Sequence, residues 1–173
     1  MNYTQYINKE FGFSFEYPSE WEMKLRPYQM DLYDNGIIIT IIGAPESKTS
    51  IGYTALNFEV ISTKESNRRL STLDEYVKKS LKENSIGPYN ILSNTESQMA
   101  ELPARELAIL YETYRPSRLP RKAQTLVISI KKWIIIEKGD YFFELLFVSS
   151  ADDYPKYIEE YEHTKKTVKF FEM

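Results

Sequence analysis

Apolar and polar residues alternate along most of this chain, and the alternation predicts strands. In the stretch Phe11–Glu22, Phe11, Phe13, Phe15 and Tyr17 fall on one face of an extended chain, and Gly12, Ser14 and Glu16 fall on the other. Pro18 lacks a backbone donor and ends that strand, and Trp21 follows where it can plug the end of a core. Residues 1–10 read as an arm leading in, and Glu22–Arg26 as a short extended piece. Ile37–Ile42 is apolar on both faces apart from Thr40, the pattern of a strand placed centrally in a sheet. Tyr53–Ser62 alternates, with Leu56, Phe58 and Val60 facing in and Asn57 and Glu59 facing out.

The period then changes to that of a helix. Thr72-Leu73-Asp74-Glu75 has the form of a capping box, and Leu73, Tyr76, Val77 and Leu81 recur at helical spacing until Gly87-Pro88 stops the element. Alternation returns in Tyr89–Met99 and Ala104–Thr113, with Glu101-Leu102-Pro103 as the turn between them. Gln124–Glu137 is a long strand in which Lys131-Lys132 breaks the pattern and predicts a bulge or a bend, and Lys138-Gly139-Asp140 turns it into Tyr141–Ser149. Ser150–Asp153 has the chemistry of a helix start, and Tyr154, Tyr157, Ile158, Tyr161, Lys165 and Val168 trace one stripe of a C-terminal helix. Polar, proline- and glycine-bearing stretches at 27–36, 43–50, 64–69 and 114–122 read as connections.

Composition narrows the classes. A length of 173 residues with 42% apolar and 14% aromatic residues predicts one domain, 1–173, with a core that needs no metal or disulfide to hold it. A net charge of -3 gives no overall attraction to nucleic acid. The absence of cysteine removes thiol catalysis, thiolate metal sites and disulfides. No run has the length of a membrane span, so the expectation is a soluble chain, cytoplasmic unless a leader or lipid anchor has been removed from it.

Taken together, Gly12-Phe13-Ser14-Phe15, Tyr17-Pro18-Ser19-Glu20-Trp21, the helix at Thr72-Leu73-Asp74-Glu75-Tyr76, Leu102-Pro103-Ala104-Arg105, the closing hairpin and the tyrosine-rich last helix resemble the PsbP-like family. Its namesake is an extrinsic protein of the photosystem II oxygen-evolving complex. The resemblance implies an α+β fold, an antiparallel β-sheet with helices packed on it as an α-β-α sandwich, which the family shares with a nuclear-import factor that binds the Ran GTPase. It implies binding or assembly rather than catalysis. Glu101 stands where a glycine is expected before Leu-Pro-Ala, and Val168-Lys169-Phe170-Phe171 lacks the serine common before the final aromatic, which marks a divergent, prokaryotic-type member.

Residues able to carry chemistry are sparse. His163 is the only histidine and falls off the apolar stripe, so it should face water, and no Gly-x-Ser-x-Gly elbow supports a serine nucleophile. Asp152-Asp153 sits where helix amides favour carboxylates, Glu159, Glu160 and Glu162 read as a solvated helix face, and neither phosphate-loop spacing occurs among the six glycines. Trp133, beside the lysine pair, is left open between core and surface. The cluster Arg115, Arg118, Arg121 and Lys122, with Tyr114 beside it, concentrates positive charge on a proline-stiffened loop and suits an acidic surface on another protein. The expected function is therefore a non-catalytic protein-binding or assembly module with no cofactor. The alternatives are a small-molecule or lipid carrier with an apolar pocket beside the sheet, and a hydrolase built on converging carboxylates.

Overall fold

The computed structural model describes residues 2–27, 37–43, 54–62, 64–65, 68–69, 72–83, 89–115 and 125–172. In chain order the first strands are β1 (Tyr3–Asn8), β2 (Phe13–Pro18), β3 (Glu22–Pro27), β4 (Ile37–Ile42) and β5 (Ala55–Ser62). The two-residue strands β6 (Lys64–Glu65) and β7 (Arg68–Arg69) precede helix α1 (Leu73–Glu83). After it come β8 (Tyr89–Met99), β9 (Leu102–Arg115), β10 (Thr125–Lys138), β11 (Tyr141–Ser150), helix α2 (Tyr154–Thr167) and β12 (Lys169–Phe170).

Seven of the strands form one antiparallel sheet in the order β3-β4-β5-β11-β10-β9-β8. Side chains alternate between its two faces, so each face receives a different cover. One face takes α1, through Tyr76 and Val77 packed on Ile61, Leu107, Ile109, Trp133, Ile135 and Phe142. The other takes α2 together with a small sheet of order β1-β2-β12, and the larger core lies between them. There Phe13 and Phe15 of β2 stack on Phe58 of β5 at 4.6 and 5.0 Å between ring centroids, and Tyr161 of α2 packs beside Phe147. The result is the α+β arrangement, an antiparallel sheet with helices packed on it, that the resemblance to the PsbP-like family implies.

Local chemistry explains the element ends. The Glu75 amide donates to Thr72 Oγ1 at 3.2 Å, the threonine half of the capping box. Gly139 has φ +62° in the β10–β11 turn, and Gly12 has φ +64° before β2, conformations that a Cβ would disfavour. At the start of α2, Asp153 makes no side-chain cap; its carboxylate instead accepts from the Ser150 hydroxyl at 3.0 Å, and Pro155 stands in the first turn.

Several expectations need correction. Residues 3–8 are no mere arm but a strand paired with β2 from Tyr3–Pro18 to Asn8–Phe13. The isoleucine strand β4 is interior but second from the edge rather than central. Lys131 and Lys132 cause no bulge, because β10 keeps an unbroken register with β9 and β11 through both. The register shift among the long hairpins lies in β8, between Ile91 and Ser93. The turn before β9 is Ala100-Glu101, and Leu102 and Pro103 already pair with Met99 and Gln98. Trp133, which the sequence leaves open between core and surface, is buried, at 2% exposure.

Candidate docking surface

Of the basic cluster, Tyr114 and Arg115 are the last residues of β9, where their backbones pair with Leu126 and Thr125. Arg118, Arg121 and Lys122 lie outside the described residues, within the β9–β10 connection. The structure thus brings the first two to the free end of the sheet, at the far end of β9 from the Ala100-Glu101 turn. Exposed apolar side chains gather at that same end. On β10, Leu126 and Ile128 are 44% and 41% exposed, while Val127 and Ser129 between and beyond them are buried. On the other face of that end, Tyr89 and Ile91 of the edge strand are exposed, opposite Tyr111 and Ile109 of β9, and Leu92 is exposed at the register shift. Sequence alternation identifies Leu126 and Ile128 as one face of a strand, but only the lengths of β9 and β10 relative to the helices leave that face open.

Among the described residues, buried and part-buried acids enter three networks, none of which sequence patterning located. Glu144 of β11 is 5% exposed beneath α1, where its two oxygens accept from Tyr76 Oη and from Trp133 Nε1, the latter at 2.7 Å. Burial, then the Glu59 charge beside it, pushes the Glu144 carboxyl up to about 7. Burial also raises Glu59 and lowers Lys131, whose ammonium lies 4.5 Å from the Trp133 ring centre. Asn57 and Glu59, expected to face out, therefore point into the layer under α1, where Asn57 Oδ1 is buried without a hydrogen bond. A signal existed: Phe142 and Leu146, flanking Glu144 on its own face, are apolar, which marks that face as covered. With both oxygens taken and almost no exposure, Glu144 ties α1 to β10 and β11 and leaves no approach for a substrate.

On the opposite face Glu106 of β9 receives Lys165 at 3.1 Å, Lys132 at 3.3 Å, Tyr161 Oη at 3.1 Å and Ser97 Oγ at 3.0 Å. Burial alone would raise that carboxyl, but Lys165 and Lys132 outweigh it and hold it below the usual range. The pair of lysines that breaks the alternation is thereby explained: in a regular strand they point to opposite faces, each toward a partly buried acid. His163, expected to face water, instead stacks on Tyr3 at 3.6 Å between centroids and pairs with Glu16 at 2.8 Å. Glu160, expected to be solvated, is buried and accepts from Tyr3 Oη at 2.9 Å. These contacts fasten β1 and β2 to α2.

The carrier alternative requires room beside the aromatic face, and that face is filled. Phe13, Phe15, Phe58, Phe143, Phe147 and Tyr161 pack ring against ring there. Two open grooves lie outside it. One groove of about 750 Å³ runs between the start of α1 and the β8–β9 hairpin, and another of about 530 Å³ between that hairpin and the end of α2. Among the described residues no group of three or more His, Cys, Asp and Glu side chains could hold a metal ion, and no helix is long and apolar enough to cross a membrane.

No protein-family model matches the chain, and no curated protein matches it in sequence. Solved structures do match in fold. The chain is similar to cyanobacterial PsbP from Synechocystis sp. PCC 6803, with a TM-score of 0.58 and 9% identity over 98% of this chain and 92% of that one. It is also similar to LpqN, involved in cell envelope biogenesis of Mycobacterium tuberculosis, with a TM-score of 0.56 and 10% identity over 99% of this chain and 91% of that one. The fold is PsbP-like.

Proposed function

We propose that this chain of PsbP-like fold is a non-catalytic docking module, a single domain that offers the free end of β8, β9 and β10 to an acidic surface on a larger protein. One observation carries the reading. Leu126 and Ile128 are exposed on one face of that end and Tyr89 and Ile91 on the other, with Arg115 closing β9 there and Arg118, Arg121 and Lys122 following it in sequence. Apolar side chains supply the buried area of such a contact, and the cations supply orientation and encounter rate. The use of Glu144, Glu106 and His163 in fastening helices to sheets supports the absence of catalysis.

The test is affinity capture from native lysate, comparing the parent with R115E/R118E/R121E and with L126S/I128S. A specific acidic partner held by the parent and lost by each variant, with melting temperatures within about 4 °C of the parent, supports the reading. Equal capture by the charge reversal ends it.

A further inference from the structure

The β8–β9 hairpin lies at the other end of β9 from the basic connection, and its outer strand is the edge of the seven-stranded sheet. An edge strand carries a row of backbone donors and acceptors with no neighbour, and natural sheets guard such rows with bulges, charges or cover. Here the bulge between Ile91 and Ser93 guards only the first part of β8. From Ser93 to Met99 the pairing with β9 is regular.

The register states which groups are free. Met99 and Leu102 close a two-residue turn in which Ala100 and Glu101 both have positive φ, the geometry of a type I′ hairpin. The closing pair of such a hairpin exchanges both of its hydrogen bonds, so alternation turns the backbone groups of Gln98, Glu96 and Asn94 away from β9. Pro103, opposite Gln98, agrees, since its missing donor belongs to the set that β8 does not use.

Both grooves flank this same stretch. The α1-side groove is lined by Glu96, Ser97 and Gln98, with Asp74 and Arg105 joined across it at 2.7 Å. The α2-side groove is lined by Gln98, Met99 and Glu101, and by Lys165, Lys166 and Lys169. Lys165 is engaged by Glu106 and Glu162, whereas Lys166 and Lys169 are exposed on the rim. A strand laid along β8 would send alternate side chains toward these two grooves where it passes Glu96 to Met99, and the lysine-rimmed one selects for carboxylates.

We infer that the edge of β8 from Ser93 to Met99 is a strand-addition site for an extended segment of another protein, one with acidic side chains at every second position. The backbone supplies the pairing, and Lys166 and Lys169 supply the choice of sequence. The site is independent of the docking surface at the other end of the hairpin.

Three synthetic peptides test this: seven residues of alternating threonine and glutamate, the same length of alternating threonine and lysine, and the acidic peptide with every second amide N-methylated. Hydrogen exchange and amide NMR shifts are followed on the parent and on K166E/K169E. The acidic peptide should protect the amides of Asn94, Glu96 and Gln98, the lysine peptide should bind at least about tenfold more weakly, and the N-methylated peptide should not protect them. K166E/K169E should lose the preference while keeping the fold. Protection of these amides without peptide, rising with protein concentration, would assign the edge to a second copy and overturn the inference. Equal binding of the acidic and lysine peptides, binding that survives N-methylation, or no binding at all would overturn it too.

Discussion

Glu59 of β5 and Glu144 of β11 stand directly opposite each other on neighbouring antiparallel strands, with both side chains in the layer beneath α1. Burial disfavours both charges, and the Glu59 charge further disfavours that of Glu144. Lys131 is the cation facing them from β10, and Tyr76 of α1 and Trp133 of β10 supply hydrogen bonds.

The first prediction concerns pH. The ordinary value of 4.5 for Glu144 rises to about 7 in the fold, so the folded protein holds a proton that the unfolded chain releases. The stabilisation is fully present below about pH 4.5 and is lost as pH rises through about 7, a change on the order of 3 kcal/mol. Glu144→Gln should flatten that slope and be more stable than the parent at pH 8, since an amide oxygen can still accept from Trp133 while its nitrogen donates to the Tyr76 oxygen. Urea denaturation at pH 4.5, 6 and 8 reads this directly. A parent whose stability holds level from pH 5 to 8 would count against the buried pair.

Glu106 behaves with the opposite sign. Its carboxyl lies below the usual range in the fold, so its contribution is present above the ordinary carboxylate value and is lost as pH falls further. Glu106→Ala would leave Lys132 and Lys165 partly buried without their shared acid, at a cost of about 2 kcal/mol. Glu106→Ala combined with Lys165→Met should recover part of that loss in a double-mutant cycle. Strictly additive losses would mean that the two side chains are not coupled.

The turn between β8 and β9 places Ala100 at φ +51° and Glu101 at φ +65°, the left-handed region that favours glycine. Glu101→Gly removes that strain, partly offset by the freer unfolded chain, and should raise stability by about 1 kcal/mol, or about 2 to 4 °C in melting temperature. An unchanged or lower midpoint in calorimetry would show that Glu101 makes a contact worth more than its strain.

Thr72 accepts from the Glu75 amide at the start of α1. Thr72→Ala should cost about 1 kcal/mol and Thr72→Ser much less, measured by chemical denaturation. Equal losses in both would place the threonine's role in its methyl group.

Much of the fold was legible because its signals are local. The Tyr141–Ser149 alternation, the inward set Leu56, Phe58 and Val60, and the capping threonine each depend on neighbours within a few residues, and each survives in the structure. What the pattern could not show is what covers a face. Alternation places Glu59 opposite Phe58, but whether that side meets water or a helix depends on α1, which is made elsewhere in the chain. His163 illustrates the same limit: helical spacing puts it off the apolar stripe, yet β1 and β2 cross that side and supply Tyr3 and Glu16. At the candidate docking surface, the exposure of Leu126 and Ile128 emerges only from strand lengths.

The small sheet has a consequence for how the protein is made. Its middle strand β2 pairs on one side with β1 and on the other with β12, and Tyr3 meets Glu160 across 157 residues of sequence. A chain emerging from the ribosome therefore presents Phe13 and Phe15 long before α2 and β12 exist to complete the layer over them. Until β5 and β11 are made, those rings have neither Phe58 nor Phe143 to pack on, and until synthesis reaches Phe170 the β12 side of β2 stays unpaired. Slow translation past β11 would lengthen the interval in which that layer stands incomplete.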